Sequence, residues 1–232
     1  MEDIKKIQPS MLKGIVSVPP SKSVTHRAII AAALSGEECT IENVVMSNDI
    51  KATVQCMRAL GAKCMVNTKS MTVNVSAKKT YRVKNTINLD CGESGSTLRF
   101  LMPLALGKGV PVKFVGHGRL MQRPQTPYFN IFREKGIRFE VGDDYIILDG
   151  TLTSGSYSLA GNVSSQFITG LLFALPMLKG DSEILISGEL ESKGYVDLTI
   201  DILSKFGIEI SNYKYKPVSY THLRAHETCA DL

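Results

Sequence analysis

Ser21-Lys22-Ser23-Val24-Thr25-His26-Arg27-Ala28-Ile29-Ile30-Ala31-Ala32-Ala33-Leu34-Ser35-Gly36 is the stretch that decides the fold. A polar loop runs into an apolar helical segment that stops at a glycine, and the pattern returns twice. Ser94-Gly95-Ser96 and Ser164-Ser165-Gln166 open the later copies. Gly109 and Gly180 close them, at successive intervals of 73 and 71 residues from Gly36. A second set of markers, Leu60-Gly61-Ala62, Lys135-Gly136-Ile137 and Phe206-Gly207-Ile208, keeps successive intervals of 75 and 71. Markers that hold one order and nearly one period signal an internal repeat.

Each copy reads in the same way. A short strand (14–18, 86–89, 156–159) enters the polar loop, and a helix of small and aliphatic residues follows. After the glycine come a strand (40–44, 111–115, 183–186), a second helix (50–60, 126–134, 195–206) and alternating strands, such as 63–75 and 137–148. The expected domain is therefore α+β, mixed α/β, with three βαβαββ units at about 13–78, 79–150 and 151–212. The first helix of each unit is apolar nearly all round, which marks a helix buried on most sides. Helices are accordingly expected inside and sheets outside.

The 232 residues are 44% hydrophobic and 21% charged, a globular balance. With no Trp, the core is expected to be built mainly from Leu, Ile, Val, Ala and Met. The net charge of +5 is scattered and suits anionic small molecules rather than nucleic acid. Five cysteines without CxxC spacing, and a Met1-Glu2-Asp3-Ile4-Lys5-Lys6 start without an apolar leader, point to reduced thiols and a cytoplasmic protein. The most apolar stretch, 167–178, is shorter than the roughly 20 residues of a membrane span, so no membrane partner is expected.

The repeated loops carry the chemistry. A helix N-terminus presents unpaired N–H groups and the positive end of the helix dipole, so a Ser- or Gly-rich loop there is a natural anion cradle. In the first, Ser21 or Ser23 can cap the helix, Lys22 brings a point charge and Arg27 can fork a carboxylate or phosphate. Gly-x-x-x-x-Gly-Lys-Ser/Thr is absent, which excludes an ordinary P-loop. In the second, Gly95 lets backbone approach a ligand, Ser96 and Thr97 offer hydroxyls, and Arg123 is stiffened by Pro124. The third supplies Ser164, Ser165 and Gln166 ahead of a helix too apolar to use them. Ser192 and Tyr195 open the last helix with a further hydroxyl and a phenol, or with simple capping.

Pro-x-Ser-Lys-Ser-x-Thr-x-Arg, Glu-Ser-Gly-Ser-Thr-x-Arg, Gln-Arg-Pro, Val-Ser-Ser-Gln-Phe and Glu-Ser-Lys-x-Tyr occur here in an order that resembles the 5-enolpyruvylshikimate-3-phosphate synthase family over about residues 7–212. The resemblance implies an enolpyruvyl transferase-like fold and transfer of the enolpyruvyl group of phosphoenolpyruvate to the 5-hydroxyl of shikimate 3-phosphate, in the shikimate pathway to chorismate, without metal or organic cofactor. It places Lys22 between both substrates as the catalytic residue, and Ser23 and Arg27 on shikimate 3-phosphate. Gly95 and Arg123 fall on phosphoenolpyruvate, Ser164 and Ser165 on the shikimate phosphate, Gln166 between the ligands, and Ser192 and Tyr195 on the shikimate side. Two other readings stay open: a UDP-N-acetylglucosamine enolpyruvyl transferase-like enzyme, disfavoured by Lys-Ser in the first loop where that enzyme has Lys-Asn, and a non-catalytic domain binding a phosphorylated polyol.

Two departures from the family pattern stand out. Glu93 replaces a common Asn in the second motif. The chain is also about half the family length, so the second domain, with its acid-base carboxylates, is the missing partner and the fragment is expected to be catalytically incomplete. Residues 1–12 are expected to form a strand belonging to that domain. Residues 218–232 read as a tail foreign to the family, resembling translated adapter sequence, and the spacing of His222, His226 and Cys229 within it is taken as chance rather than as a zinc site.

Overall fold

The structure is a computed structural model that describes residues 8–9, 11, 13–77, 86–212 and 221–223. The chain order is α1 (Lys22–Leu34), β1 (Cys39–Ile41), α2 (Asn48–Ala59), β2 (Ala62–Asn67), β3 (Thr72–Ala77), β4 (Ile87–Asp90), α3 (Gly95–Ala105), β5 (Val112–Val115), α4 (Thr126–Glu134), β6 (Arg138–Val141), β7 (Tyr145–Asp149), β8 (Gly155–Ala160), α5 (Ser165–Ala174), β9 (Ser182–Ser187), α6 (Lys193–Lys205), β10 (Ile210–Asn212) and β11 (Thr221–Leu223). The strand expected within residues 1–12 falls almost wholly outside the described residues. Among the described residues no helix is long and apolar enough to cross a membrane.

Serines cap four of the helices, and glycines follow the repeated ones. Ser21, Ser47, Ser94 and Ser164 each accept a backbone N–H from the first turn of α1, α2, α3 and α5, meeting donors that the helix leaves unpaired. The three repeat glycines, Gly36, Gly109 and Gly180, have φ of 77°, 67° and 99°. This left-handed backbone reverses the chain at little cost only without a Cβ, which is why the same residue recurs.

The repetition extends to the sheets. In the second, β4 runs parallel to β5, which pairs antiparallel with β7, and β7 with β6. The third repeats this with β8, β9, β11 and β10. The first has the order β1-β3-β2, without a parallel edge strand among the described residues. The stretch 14–18, expected as that strand, has no ladder partner, and Ile15, Val16 and Val18 are exposed. Two causes are visible: β1 offers an edge of only three residues, and Pro19-Pro20 stiffens the chain just ahead of α1. The third unit, read from sequence as ending at 212, places residues 221–223 between β9 and β10, so its sheet draws on the 218–232 segment.

The sheets bury one face and leave the other exposed, as in β4, where Ile87 and Leu89 point inward and Asn88 and Asp90 outward. Helices back the sheets, α1 against β1 and β3, α2 against β2 and β4, and α4 against β6 and β8, while α3 packs on α5; in α1, α3 and α5, Ile29 to Ala33, Leu98, Phe100 to Met102 and Leu171 to Phe173 are nearly or wholly inaccessible. Each large aliphatic or aromatic side chain so buried contributes about 2 kcal/mol. A Cβ on Gly170 of α5 would lie 2.1 Å from Tyr128 Oη and 2.4 Å from the Arg99 carbonyl, so α3 and α5 touch where only glycine fits. Tyr128 Oη sits 2.7 Å from the Arg99 carbonyl and 2.9 Å from that of Phe167, sharing its one hydrogen between both helices.

Candidate active site

The apolar cores of α1, α3 and α5 bring their polar N-terminal turns to one place. Ser23 and Arg27 from α1, Ser96 and Phe100 from α3, and Ser164, Ser165 and Gln166 at the start of α5 line a cavity of about 290 Å³, closed by Ser192 and Tyr195 at the start of α6. Three cradles separated by some 70 residues in sequence thus share one volume, which suits a small ligand.

Arg27 is the electrostatic centre. Its side chain is buried, with the residue 3% exposed. Nε donates to Thr199 Oγ1 at 2.8 Å, Nη1 to the Ser23 carbonyl at 2.9 Å, and Nη2 to Thr169 Oγ1 at 3.2 Å and the Tyr195 carbonyl at 3.4 Å. The guanidinium also lies over the rings of Phe100 and Tyr195, 4.9 and 5.8 Å from their centroids. Among the described residues no carboxylate pairs with it. Burial pulls its pKa down to about 10, with the Tyr195 phenol opposing. The cation is oriented on all sides by neutral groups, so its charge is left for a ligand.

Gln166 joins two cradles. Its Nε2 donates to Ser96 Oγ at 3.0 Å while its Oε1 accepts from Arg99 Nη1 at 2.8 Å. Arg99 also donates to Gln125 Oε1 and the Pro124 carbonyl and lies over the Phe167 ring. Burial lowers its pKa. Ser192 precedes α6 and makes no side-chain capping hydrogen bond to it.

Seven of the ten sequence-predicted residues meet in this cavity: Ser23, Arg27, Ser164, Ser165, Gln166, Ser192 and Tyr195. Gly95 and Arg123 lie together at its flank, since a Cβ on Gly95 would be 2.9 Å from Arg123 Nη1 and 3.8 Å from Gln166 Oε1. Lys22 is outside the lining, and its Nζ pairs with Asp49 Oδ2 at 2.5 Å. Sequence reasoning overlooked Asp49, which lies at the first turn of α2, 27 residues from Lys22, and Phe100, whose ring is indistinguishable in the sequence from a core aromatic. Arg99 and Ser96 stood in the second motif, but only the fold assigns Ser96 to the lining.

The fold and the cavity define a class: a three-unit α/β domain whose buried helix starts converge on one cation-bearing, hydroxyl-rich cavity. The profile of the EPSP synthase (3-phosphoshikimate 1-carboxyvinyltransferase) family matches residues 6–228, and the chain belongs to that family. It is 49% identical over 225 residues to the 3-phosphoshikimate 1-carboxyvinyltransferase of Clostridium novyi, covering 93% of this chain and 51% of the relative. With that of Clostridium acetobutylicum it is 50% identical over 214 residues, covering 91% and 50%. Among solved structures, EPSP synthase from Acinetobacter baumannii superposes with a TM-score of 0.74 at 20% identity, over 94% of this chain and 48% of that one. The enolpyruvyl transferase NikO from Streptomyces tendae does so with 0.61 at 14%, over 95% and 50%. Likenesses at such low identity bear on the fold alone. The chain spans about half the length of the curated relatives it matches.

Proposed function

We propose that this chain is the shikimate 3-phosphate-binding half of a cytoplasmic enzyme that transfers the enolpyruvyl group of phosphoenolpyruvate to the 5-hydroxyl of shikimate 3-phosphate, and that alone it binds but does not turn over. The observation that carries the reading is Arg27, a buried cation without a carboxylate partner among the described residues, facing a cavity walled by serine hydroxyls, an amide and a phenol. A phosphorylated polyol meets both needs at once. Its phosphate takes the N–H groups and hydroxyls of Ser164 and Ser165 at the positive end of α5. Its hydroxyls hydrogen-bond to Ser23, Gln166 and Ser192, and Arg27 supplies the opposing charge.

Phosphoenolpyruvate is assigned to the adjoining flank, where Gly95 leaves room for Arg123 and the α3 N-terminus lies beside it. Lys22 leaves Asp49 to reach between the two ligands, stabilising the charge that develops as the 5-hydroxyl adds to C2 and phosphate departs. Protonation of the methylene carbon needs an acid, and no carboxylic side chain is among the residues that line the cavity. This supports the second half of the enzyme as the source of the acid-base groups.

Calorimetry with shikimate 3-phosphate, followed by a phosphate-release assay with phosphoenolpyruvate added, tests both halves of the reading. Binding without phosphate release is expected. Turnover by a verified monomer refutes the incompleteness, and failure of the folded chain to bind refutes the site.

A further inference from the structure

His26 is buried and 1% exposed, one residue before Arg27, and has no role in the cavity lining. Its ring stands edge-on to Phe100 at 6.3 Å between centroids. Nδ1 lies 2.7 Å from Thr53 Oγ1, which lies 2.7 Å from Thr97 Oγ1, which donates to Ser94 Oγ at 2.7 Å. Ser94 Oγ in turn accepts the Thr97 amide at 3.1 Å, capping α3. Nε2 has no hydrogen-bond partner among the described residues. One continuous chain therefore crosses the core from α1 through α2 to the start of α3, where the second cradle begins.

We propose that His26 is a positioning residue for this second cradle, acting through a one-way relay of hydroxyl hydrogen bonds that ends on the Ser94 cap. For its ligand the proposal rests on the functional reading above. The direction follows from counting hydrogens. Each hydroxyl owns one. Thr97 spends its hydrogen on Ser94, so it must accept from Thr53, and Thr53 must then accept from His26 Nδ1–H. The imidazole is neutral, with the hydrogen on Nδ1 and a bare lone pair on Nε2. In the reversed relay Ser94 gives its hydrogen to Thr97 and the imidazole carries an Nε2–H with no acceptor. An orphaned buried N–H is the rarer and costlier defect. The forward direction instead leaves the one uncommitted hydrogen on Ser94, beside the cradle, where an approaching anion favours it further.

The relay explains why the Ser94 cap is held by two bonds, and why α1, which carries Ser23 and Arg27, is tied to α3, which carries Ser96 and Phe100. The carbonyl of Asp49, 3.4 Å from Thr97 Oγ1, is the competing acceptor for the Thr97 hydrogen, and at that length it is the weaker one.

Three readouts test the proposal on the intact chain. Nitrogen NMR of ¹⁵N-histidine protein at neutral pH is expected to show His26 with hydrogen on Nδ1 and none on Nε2; hydrogen on Nε2 overturns the direction. His26→Asn, whose amide reaches the Nδ1 position and can donate to Thr53, keeps hydrogen exchange of the Thr97 amide within about twofold of the parent, whereas His26→Leu speeds it about fivefold, as loss of one hydrogen bond implies. Thr53→Val, which cuts the relay midway, is expected to match His26→Leu and serves if that variant fails to fold. Shikimate 3-phosphate affinity follows the same order, with the Asn variant rescuing. Equal effects of Asn and Leu overturn the relay. If the parent chain binds no shikimate 3-phosphate, the functional reading falls, while the tautomer and the Thr97 amide still decide the relay.

Discussion

Protonation of His26 is expected to set the acid limit of this domain's stability. Burial lowers its pKa from 6.5 to about 4; Asp49 opposes the shift, and Lys22 and Arg27 add to it. In the unfolded chain the imidazole takes up its proton near 6.5, whereas the folded protein resists until about 4. The unfolded state thus binds more protons in this window, and stability must fall as the pH drops through it. The difference is worth about 3 kcal/mol, fully present as a loss below about pH 4 and absent above about pH 7. A marginal domain has about 5–15 kcal/mol in all, so the effect is measurable. The perturbation that isolates it is His26→Asn, which removes the titrating group and keeps a donor toward Thr53. Urea unfolding at intervals from pH 7 to pH 4 is the assay. The parent is expected to lose about 3 kcal/mol more than the variant over that span, because carboxylates titrating in the same range act on both proteins alike. Parallel stability curves would refute the reasoning, since they would mean that His26 protonates in the folded state as easily as in the unfolded one.

Arg27→Gln is expected to weaken shikimate 3-phosphate binding by about a hundredfold in calorimetry on the folded variant, and to cost about 2 kcal/mol in urea unfolding because it leaves the buried acceptors of Thr199, Thr169 and Tyr195 short of a donor; retained affinity would contradict the assigned role. Gly170→Ala forces a methyl against Tyr128 Oη and the Arg99 carbonyl and is expected to cost about 3 kcal/mol in urea unfolding; an unchanged midpoint would show that α3 and α5 can separate freely. Lys22→Ala breaks a pair with Asp49 in which the lysine side chain is 55% exposed, so stability is expected to shift by less than about 1 kcal/mol, separating any loss of ligand binding from a folding defect. Truncation after residue 217 removes β11 from between β9 and β10 and is expected to speed hydrogen exchange in Ile210–Asn212; unchanged protection there would show that those amides do not depend on β11.

Much of this architecture is legible in one dimension because it is written by local rules. A serine that caps, an apolar run and a glycine with positive φ act locally whatever surrounds them, so the mixed α/β character, the buried helices and the polar loops at their starts could be read from spacing alone. The motif residues were legible for a related reason: Ser164, Ser165 and Gln166 are polar groups ahead of a helix that buries everything else, a pattern with no local use. The failures are equally physical. Residues 14–18 carry the β-branched Ile15, Val16 and Val18 of a strand, yet a strand exists only where another edge accepts its hydrogen bonds, and β1 leaves the segment unpaired. β11 lies in a segment whose sequence has no evident tie to the repeat, and only the slot between β9 and β10 gives it a place.

What the sequence determined by itself was a set of elements and the chemistry carried at their ends. Which ends face one another was settled only by packing. Arg27 meets Thr199 and Thr169, 172 and 142 residues away, Lys22 meets Asp49 instead of the cavity, and His26 reaches Ser94 through two threonines on other helices. Such partnerships are long-range hydrogen bonds made inside a core, and their geometry depends on how three apolar helices close on each other. The same burial that strips Arg27 and His26 of water turns ordinary residues of one motif into a cation without a carboxylate partner and an imidazole with one unpartnered nitrogen, among the described residues.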